Sequence, residues 1–474
     1  MPAHHGMTVF EDLDAYCRPG HTHTRGDRFG RLCGDEAPLY TDPDTLRDVG
    51  APNGPLDGGT GNNRTQSVAV GMVFFGQFVD HDVTFDVTSS FESLNTPATI
   101  PNVRTPTLDL DALYGSGPEA SPHLFETGPG NPFAGVKLIT GANTPGHPHA
   151  ADDLPRVGDV ALIGDPRNDE NRIISQVHLA MIRVHNKLVD RIAAQPNAPS
   201  GHSLYEAARQ ETAWHYQWNV VHDFLTAMCG AGVVNRILSE GRQFYRPPEP
   251  FIPVEFSVAG FRFGHSMVPQ RIQTQQGQSP AALFGGTLGP GFTPIPDPLA
   301  VVDMHEIFDT HLGRNVERAQ RMDTQLARTL LNLPFISEGE TSLATRNLLR
   351  GQSFLLPSGE VFARAVGRPE TEIDQVSAAV DTATGGALTS GTPLWLYFLT
   401  EAQVIGREAA NGAFEPAEGL GPAAATLVAE TIIGLIELDP RSWLGSDRSW
   451  SPDRSAPDTE RLDGIGNMLS WAQP

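Results

Sequence analysis

The segment GQFVDHDVTFD brings four chemically active side chains close together, which are Gln77, Asp80, His81 and Asp82. The apolar residues from Gln66 to about Asp80 surround the whole circumference of a helix, which predicts a buried helix. Gln77 and His81 are one turn apart and therefore share a face. The helix dipole also favours a histidine at a C-terminus, so this segment alone indicates a structural role as readily as a functional one.

Three further pairs of polar residues, each three positions apart, lie in strongly apolar segments: Arg167 with Glu170 in GDPRNDE, Arg262 with His265 in FRFGHSMV, and Asn347 with Arg350 in RNLLRG. On a helix this spacing places both members of a pair on one face. Taken alone, each is better explained by a structural role: Arg167 and Glu170 as an intrahelical ion pair, His265 as a buried core histidine, and Asn347 with Arg350 as exposed polar residues near a helix end.

Together and in this order, the four segments resemble the animal haem peroxidase family, the peroxidase-cyclooxygenase superfamily that includes myeloperoxidase, peroxidasin and bacterial relatives. GQFVDHDVTF is similar to the distal helix of the family, and GDPRNDE followed by HLAMIRVHNKL is similar to its catalytic-arginine helix. FRFGHSMV is similar to its proximal-histidine segment, and RNLLRG to its Asn-x-x-Arg turn. The C-terminal segments TPLWLYFLTEAQ and AETIIGLIELDP also resemble bacterial members.

The resemblance implies a haem b cofactor with a distal and a proximal side. On the distal side, His81 would be the base, Arg167 the cation and Gln77 a partner that orders water. A neutral imidazole can move a proton between the two oxygens of hydrogen peroxide near pH 7. A guanidinium can stabilise the negative charge that develops on the departing oxygen.

On the proximal side, the resemblance implies that His265 binds the iron and that Asn347 hydrogen-bonds its other ring nitrogen. Arg262 and Arg350 would pair with the haem propionates. An amide partner leaves the imidazole less anionic than a carboxylate would, which tunes the iron. The implied activity is reduction of hydrogen peroxide and oxidation of a small donor, aromatic or a halide, through a ferryl intermediate.

Asp80 and Glu170 match the carboxylates that form ester bonds to the haem in animal members of the family. The resemblance therefore implies haem that is ester-linked through one or both of them. Myeloperoxidase has a methionine directly after the glutamate, where this chain has Asn171. We therefore expect no sulfonium link, and chloride oxidation is not favoured.

The segment TPTLDLDALYG predicts a calcium site. Thr105, Thr107, Asp109 and Asp111 place oxygen donors at alternate positions, as a loop around a hard cation requires. Aspartate and threonine are also common in ordinary turns. The segment matches the calcium loop of the resembled family, and Asp82 would complete the site beside the distal histidine.

Two other functions compete with a peroxidase. Fatty-acid dioxygenases of the same superfamily place a radical-forming tyrosine three residues before the proximal histidine, where this chain has Arg262. Tyr216 is predicted to lie on the wrong helix for that role. A metal-dependent phosphohydrolase could use His-Asp pairs such as His222–Asp223. That function leaves the arginine, the proximal histidine and the asparagine unexplained.

Composition excludes other classes. The 474 residues are 39% hydrophobic and 19% charged, with a net charge of −23, which disfavours binding to nucleic acids and to anionic membranes. No segment approaches the about 20 apolar residues of a membrane helix. The N-terminus lacks the features of a secretory signal, so we expect a cytoplasmic location, although export without a signal peptide stays open. Three cysteines are few for a disulfide framework, and one Cys17–Cys33 bridge also stays open.

The elements that must position these residues are mostly helices. Beyond those above, helical periodicity predicts the helices Ser203–Met228, Asp323–Leu331, Thr341–Leu349 (stopped by Gly351), Gly391–Asn411 and Pro422–Leu438. No alternation of strands and helices is present. The sequence predicts a mainly α fold of the animal haem peroxidase type, with long loops and little sheet. Residues 1–60 are predicted to form an N-terminal arm on the core, and residues 61–474 a single catalytic domain.

Overall fold

A computed structural model describes residues 28–34, 36–86, 88–89 and 94–473. The chain is mainly α-helical, with long loops and short two-stranded sheets, which confirms the predicted fold class. The α-helices are α1 Pro43–Gly50, α2 Gly71–Val83, α3 Asp111–Tyr114, α4 Arg172–Ala193, α5 His202–Asn219, α6 Leu225–Cys229, α7 Ala231–Glu240, α8 Gly264–Met267, α9 Met304–Ile307, α10 Leu343–Ser353, α11 Gly359–Ala365, α12 Glu370–Thr384, α13 Leu394–Val404, α14 Pro422–Leu438, α15 Trp443–Ser446 and α16 Ile465–Trp471.

The strands only tie loops together. They are β1 Phe29–Gly30, β2 Arg64–Ala69, β3 Arg156–Val157, β4 Val160–Ala161, β5 Ile252–Pro253, β6 Arg318–Gln320, β7 Arg407–Glu408 and β8 Phe414–Glu415. β1 pairs with β5 in parallel, whereas β2 with β6, β3 with β4, and β7 with β8 are antiparallel. Within the described ranges, no helix combines the length and apolarity that crossing a membrane requires.

The centre of the core is built from α2, α4 and α5. α4 packs against both α2 and α5. α4 begins after Asn171, whose side chain accepts hydrogen bonds from the backbone N–H groups of Ile173 and Ile174. α5 continues through the π-helical turn Val220–Phe224 into α6. Gly230, at φ +87°, ends this run, so the predicted helix Ser203–Met228 is confirmed apart from its π-turn.

Two predicted helices are wrong in part because the backbone finds partners elsewhere. Residues 66–70 do not belong to α2, since residues 64–69 form β2 beside β6, and the N–H groups of Gln66 and Ser67 bond to the carboxylate of Glu418. In the predicted helix Asp323–Leu331, only Arg328–Leu330 is helical. The N–H of Leu326 instead bonds to the carbonyl of Leu56 across the chain.

Other boundaries also differ from the predictions. Gly351 does not stop its helix but lies inside α10, which ends at Ser353. The predicted helix Gly391–Asn411 is only α13, because Gly406, at φ +83°, leads into the β7–β8 hairpin. Helix α14 has the predicted bounds, whereas α1, α7, α11, α12 and α16 are helices that the sequence analysis does not predict. Cys17 lies outside the described residues, so its pairing with Cys33 stays a prediction.

Candidate active site

Two polar side chains interrupt the buried surface of α2. Gln77 and Asp80 are partly accessible, whereas every other residue of the helix is buried, including His81, which is 5% exposed. The spacing of three residues places Gln77 and Asp80 on one face. Partly accessible polar residues on a central helix indicate an internal space next to that face, where a prosthetic group could bind.

His81 is held by a chain of buried side chains. Its Nδ1 lies 2.7 Å from Oδ1 of Asn168, and Nδ2 of Asn168 lies 3.0 Å from Nδ1 of His178. The amide oxygen of Asn168 can only accept, so Nδ1 of His81 carries the proton and Nε2 keeps its lone pair. Burial, together with the charge of Arg167, lowers the pKa of His81 to about 3. His81 is therefore neutral near pH 7 and can accept a proton at Nε2.

The sequence analysis does not identify Asn168. Its side chain is fully buried, and it lies directly after Arg167 on the short 3₁₀ helix Pro166–Asp169. Asp165 caps this 3₁₀ helix by accepting a hydrogen bond from the N–H of Arg167. The position beside a candidate catalytic arginine is the signal in the sequence that could have pointed to Asn168.

Arg167 is fixed at the C-terminal end of α2. Its guanidinium donates to the carboxylate of Asp165, with Nη2 at 2.7 Å from Oδ2, and to the carbonyl of Thr84 at 2.6 Å. It also lies 4.3 Å from the ring centre of Phe85. Burial opposes ionisation of Asp165, but the hydrogen bonds and charges of Arg167 and Arg104 lower its pKa below the ordinary value. The guanidinium is thus a fixed positive charge close to the distal histidine.

Two carboxyl groups lie on the same side of α2. The amide of Gln77 donates to the carboxylate of Glu170, and Nδ2 of Asn171 donates to Oε1 of Gln77 at 3.3 Å. Burial raises the pKa of Glu170 to about 7, and the neighbouring charge of Arg167 offsets part of that shift. Burial also raises the pKa of Asp80. The charge of Asp80 contributes to the raised pKa of Glu170, so the two carboxyl groups lie near each other.

His265 and Asn347 form the second half of the site. α8 carries His265 and contacts α2, and the Nδ1 atom of His265 lies 2.9 Å from Nδ2 of Asn347 on α10. Exchanging the two amide atoms of Asn347, which have nearly the same shape, places Oδ1 on this nitrogen and leaves Nε2 of His265 available to a metal. A Cβ atom at Gly264 would have as its nearest neighbour Val73 Cγ1 at 3.7 Å, so α8 leaves room beside the histidine.

Two arginines lie next to this half of the site. Arg262 donates from Nε to the carbonyl of Ser257, and Arg350 pairs with Asp86 at 2.6 Å and with Ser89 at 2.7 Å. Both arginines are partly accessible. Burial, together with the charge of Arg350, lowers the pKa of Arg262 to about 10. Two cations this close attract anionic groups such as carboxylates.

Three aspartates next to α2 could hold a cation. Ligand oxygens of Asp82, Asp109 and Asp111 all lie within 4.8 Å of one another. Oδ1 of Asp82, Oδ1 of Asp111 and Oγ1 of Thr107 are buried and have no hydrogen-bond partner among the described residues. Thr105 instead donates to Asp109 at 2.7 Å. Burial and the other two carboxylates raise the pKa of Asp82 well above its ordinary value, as expected of anionic oxygens gathered for a hard cation.

The structure thus places the candidate haem and calcium residues in two groups. One group is the acidic cluster, and the other surrounds the space beside α2. The second group fits a haem, because it offers one imidazole on each of α2 and α8, cations for propionates, and polar groups that are partly accessible in otherwise buried surroundings: Gln77, Asp80, Arg167, Glu170, Arg262, His265 and Arg350.

Comparisons with known proteins agree with this arrangement. The family model described as animal haem peroxidase matches residues 89–384. The Caenorhabditis elegans peroxidasin homolog pxn-2 is 23% identical over 196 residues, which are 38% of this chain and 15% of that protein. The Drosophila melanogaster dual oxidase is 32% identical over 117 residues, 25% of this chain and 7% of that protein. The chain thus matches only a small part of the length of these curated relatives.

Solved structures show the same fold. Peroxidase A from Dictyostelium discoideum has a TM-score of 0.58 at 15% identity, with 88% of both chains covered. The fatty acid alpha-dioxygenase of Oryza sativa has a TM-score of 0.59 at 14% identity, with 93% of this chain and 79% of that chain covered. The family match and the fold thus define the class of the chain as animal haem peroxidase-like. The chain belongs to the animal haem peroxidase family, although the family match begins after α2.

Proposed function

We propose that this protein is a haem-dependent peroxidase, which reduces hydrogen peroxide and oxidises a small aromatic donor or a halide. The observation that carries the proposal is the neutral His81, which Asn168 holds by its Nδ1 atom next to the fixed charge of Arg167. A base with an available nitrogen beside a fixed cation is the arrangement that heterolysis of an O–O bond needs.

On the proximal side, Nε2 of His265 would bind the iron, while its Nδ1–H would donate to Oδ1 of Asn347 once the two amide atoms of Asn347 are exchanged. Arg262 and Arg350 would pair with the two propionates. When bound, haem b supplies the redox chemistry, and these residues hold it and set its electronic properties.

On the distal side, Nε2 of His81 would take a proton from one oxygen of hydrogen peroxide and return it to the other oxygen, which would leave as water, while the bound haem would supply the two electrons that cleavage of the O–O bond needs. Arg167 stabilises the negative charge that grows on the leaving oxygen. Gln77 is one turn from His81 on the same face of α2, where it would order water beside the imidazole. The proton returns within one site, so His81 is neutral again at the end of the step.

We also propose that Asp80 and Glu170 form esters with haem methyl groups. Each ester replaces one C–H bond of a methyl group with a C–O bond to the carboxyl group. The two protons and two electrons that are lost reduce one hydrogen peroxide to two waters. A buried carboxylate with an unpaired charge is costly, and an ester removes that charge. Asn171 stands where a methionine link would form, so we expect at most two links.

Calcium is the second proposed cofactor, bound by Asp82, Asp109 and Asp111 with Thr105 and Thr107. Three buried oxygens there have no hydrogen-bond partner among the described residues, although Oδ1 of Asp111 lies 3.6 Å from the guanidinium of Arg104, and they support this proposal. Asp82 is adjacent to His81, so the cation would hold the C-terminal end of α2 in place.

The dioxygenase alternative has less support. The likeness to fatty acid alpha-dioxygenases is a likeness of fold at 14% identity. Arg262 stands where the radical-forming tyrosine would be, and Tyr216 is buried against Phe75 and Phe78. The phosphohydrolase alternative is weaker still, because the group of described residues that could hold a metal contains aspartates alone.

The test is the reaction of the haem-loaded protein with hydrogen peroxide, followed by stopped-flow absorption. His81→Ala should slow this reaction by about 10²-fold or more, the usual contribution of a positioned general base. Arg167→Ala should slow it in the same direction. The matched control is His222→Ala, which removes an exposed histidine of α5's π-turn and should react normally. A near-normal rate for His81→Ala would contradict the proposal.

A further inference from the structure

A small cavity borders Asn347 on α10, beside the proximal half of the site. The N-terminal segment that precedes and enters α1 closes it through Leu39, Thr41 and Leu46, and Trp395 of α13 forms another wall. The cavity has a volume of about 20 Å³. That volume is sufficient for one water molecule.

Two buried polar atoms on the walls of this cavity have no hydrogen-bond partner among the described residues, Oγ1 of Thr41 and Oδ1 of Asn347. Asn347 is 1% exposed, and its other amide atom already faces His265. Whichever amide atom faces the imidazole, the second one is left buried and needs a partner. The remaining walls are mainly apolar, so they offer few alternatives.

We propose that this cavity is a binding site for one ordered water molecule, which bridges the hydroxyl group of Thr41 and the amide of Asn347. Water can donate and accept at once, so it satisfies both atoms and either orientation of the amide. Thr41 is then a positioning residue, which acts on His265 through the water and Asn347.

The consequence for the imidazole rests on the proposed function. For His265 to bind iron through Nε2, Nδ1 must carry the proton and Oδ1 of Asn347 must accept it. The amide nitrogen of Asn347 then donates to the water, and the water bonds to Thr41. Losing the water removes this acceptor, so Asn347 turns more easily and the hydrogen bond to His265 weakens.

Two variants remove the water in independent ways. Thr41→Val keeps the shape of the side chain and removes the hydroxyl group, and Thr41→Ser is the matched control that keeps it. Gly351→Ala fills the cavity instead, because Gly351 lies on its wall within α10 and a Cβ there has Leu356 Cδ1 as nearest neighbour at 3.8 Å.

The first readout is a high-resolution crystal structure of the protein, with or without haem. We expect one water within hydrogen-bond distance of both polar atoms in the wild type and in Thr41→Ser, and none in Thr41→Val or Gly351→Ala. The second readout is the iron–histidine stretching frequency of the ferrous haem-loaded protein, measured by resonance Raman. It should fall in Thr41→Val and Gly351→Ala and stay unchanged in Thr41→Ser.

A wild-type cavity without an ordered water overturns the inference, as does an unchanged stretching frequency in both water-removing variants. The crystallographic result does not require haem. A protein that binds no haem would therefore refute the proposed function, while the crystal structure would still decide whether the water site exists.

Discussion

Asn168→Ala tests how the distal histidine is held. The substitution removes the acceptor of the 2.7 Å bond from His81 and the donor of the 3.0 Å bond to His178. All three side chains are buried, so one donor and one acceptor lose their partners, each at a cost of about 1–3 kcal/mol. We therefore expect the free energy of unfolding to fall by about 2 kcal/mol or more.

The kinetic effect should be separate from this loss of stability. Without Asn168, nothing selects the tautomer of His81 that leaves Nε2 unprotonated, and loss of such an orienting partner typically costs about 10- to 100-fold. The assay is the second-order rate constant with hydrogen peroxide, measured by stopped flow on folded, haem-loaded protein below its melting temperature. Asn168→Asp keeps the acceptor, but the charge of the aspartate should raise the pKa of His81. As the pH is lowered, the rate of this variant should therefore begin to fall at a higher pH than the rate of the wild type.

The matched control is Ser442→Ala. Ser442 is also buried and caps α15, and its hydroxyl group bonds to Ile436 and Gly445, so its loss destabilises the protein without touching His81 or its neighbours. If Asn168→Ala reacts with hydrogen peroxide as fast as Ser442→Ala, the assignment of Asn168 as the residue that orients His81 is refuted.

Three further predictions concern the cation, the buried histidines and the haem linkage. When free calcium is present at a hundredfold excess over its Kd, chelation should lower the free energy of unfolding by about 2.7 kcal/mol. Asp82→Asn should abolish this response. An unchanged melting temperature after chelation would show that the acidic cluster binds no calcium. Burial lowers the pKa of His185 to about 4, so the unfolded chain binds a proton below pH 6.5 that the folded chain does not, and this group should cost about 1.4 kcal/mol of stability at pH 5.5. Urea unfolding at pH 7.5 and 5.5 should show a smaller loss for His185→Gln than for the wild type, and equal losses would contradict the shift. After peroxide treatment, acid–butanone extraction and mass spectrometry should find haem on peptides that contain Asp80 or Glu170, and Glu170→Gln should lose its share; full extraction of unmodified haem would mean that these carboxylates only form hydrogen bonds.

Much of the site could be predicted because its residues lie in short segments with their own periodicity. The polar face of α2 is visible in GQFVDHD, where Gln77 and Asp80 interrupt a continuous apolar run. Asp165 and Pro166 mark the start of a helical segment by their capping chemistry alone. Such local signals do not depend on the rest of the chain.

Contacts between distant segments could not be predicted in this way. Asn168 is one asparagine in a polar run, and only the approach of α2 from 87 positions away makes it the partner of His81. Residues 66–69 have helical spacing but belong to the strand β2 because β6, far along the chain, offers hydrogen bonds. Leu326 likewise pairs with Leu56 instead of forming a helical turn.

The central claim, a haem held by His265, is tested most directly by the absorption spectrum of the purified protein titrated with haem. We predict a Soret band that saturates at one haem per chain in the wild type and that is lost in His265→Ala at equal protein concentration and with an unchanged circular dichroism spectrum. A wild-type protein that gives no Soret band at saturating haem, or a His265→Ala variant that keeps a five-coordinate histidyl haem spectrum, would contradict the account.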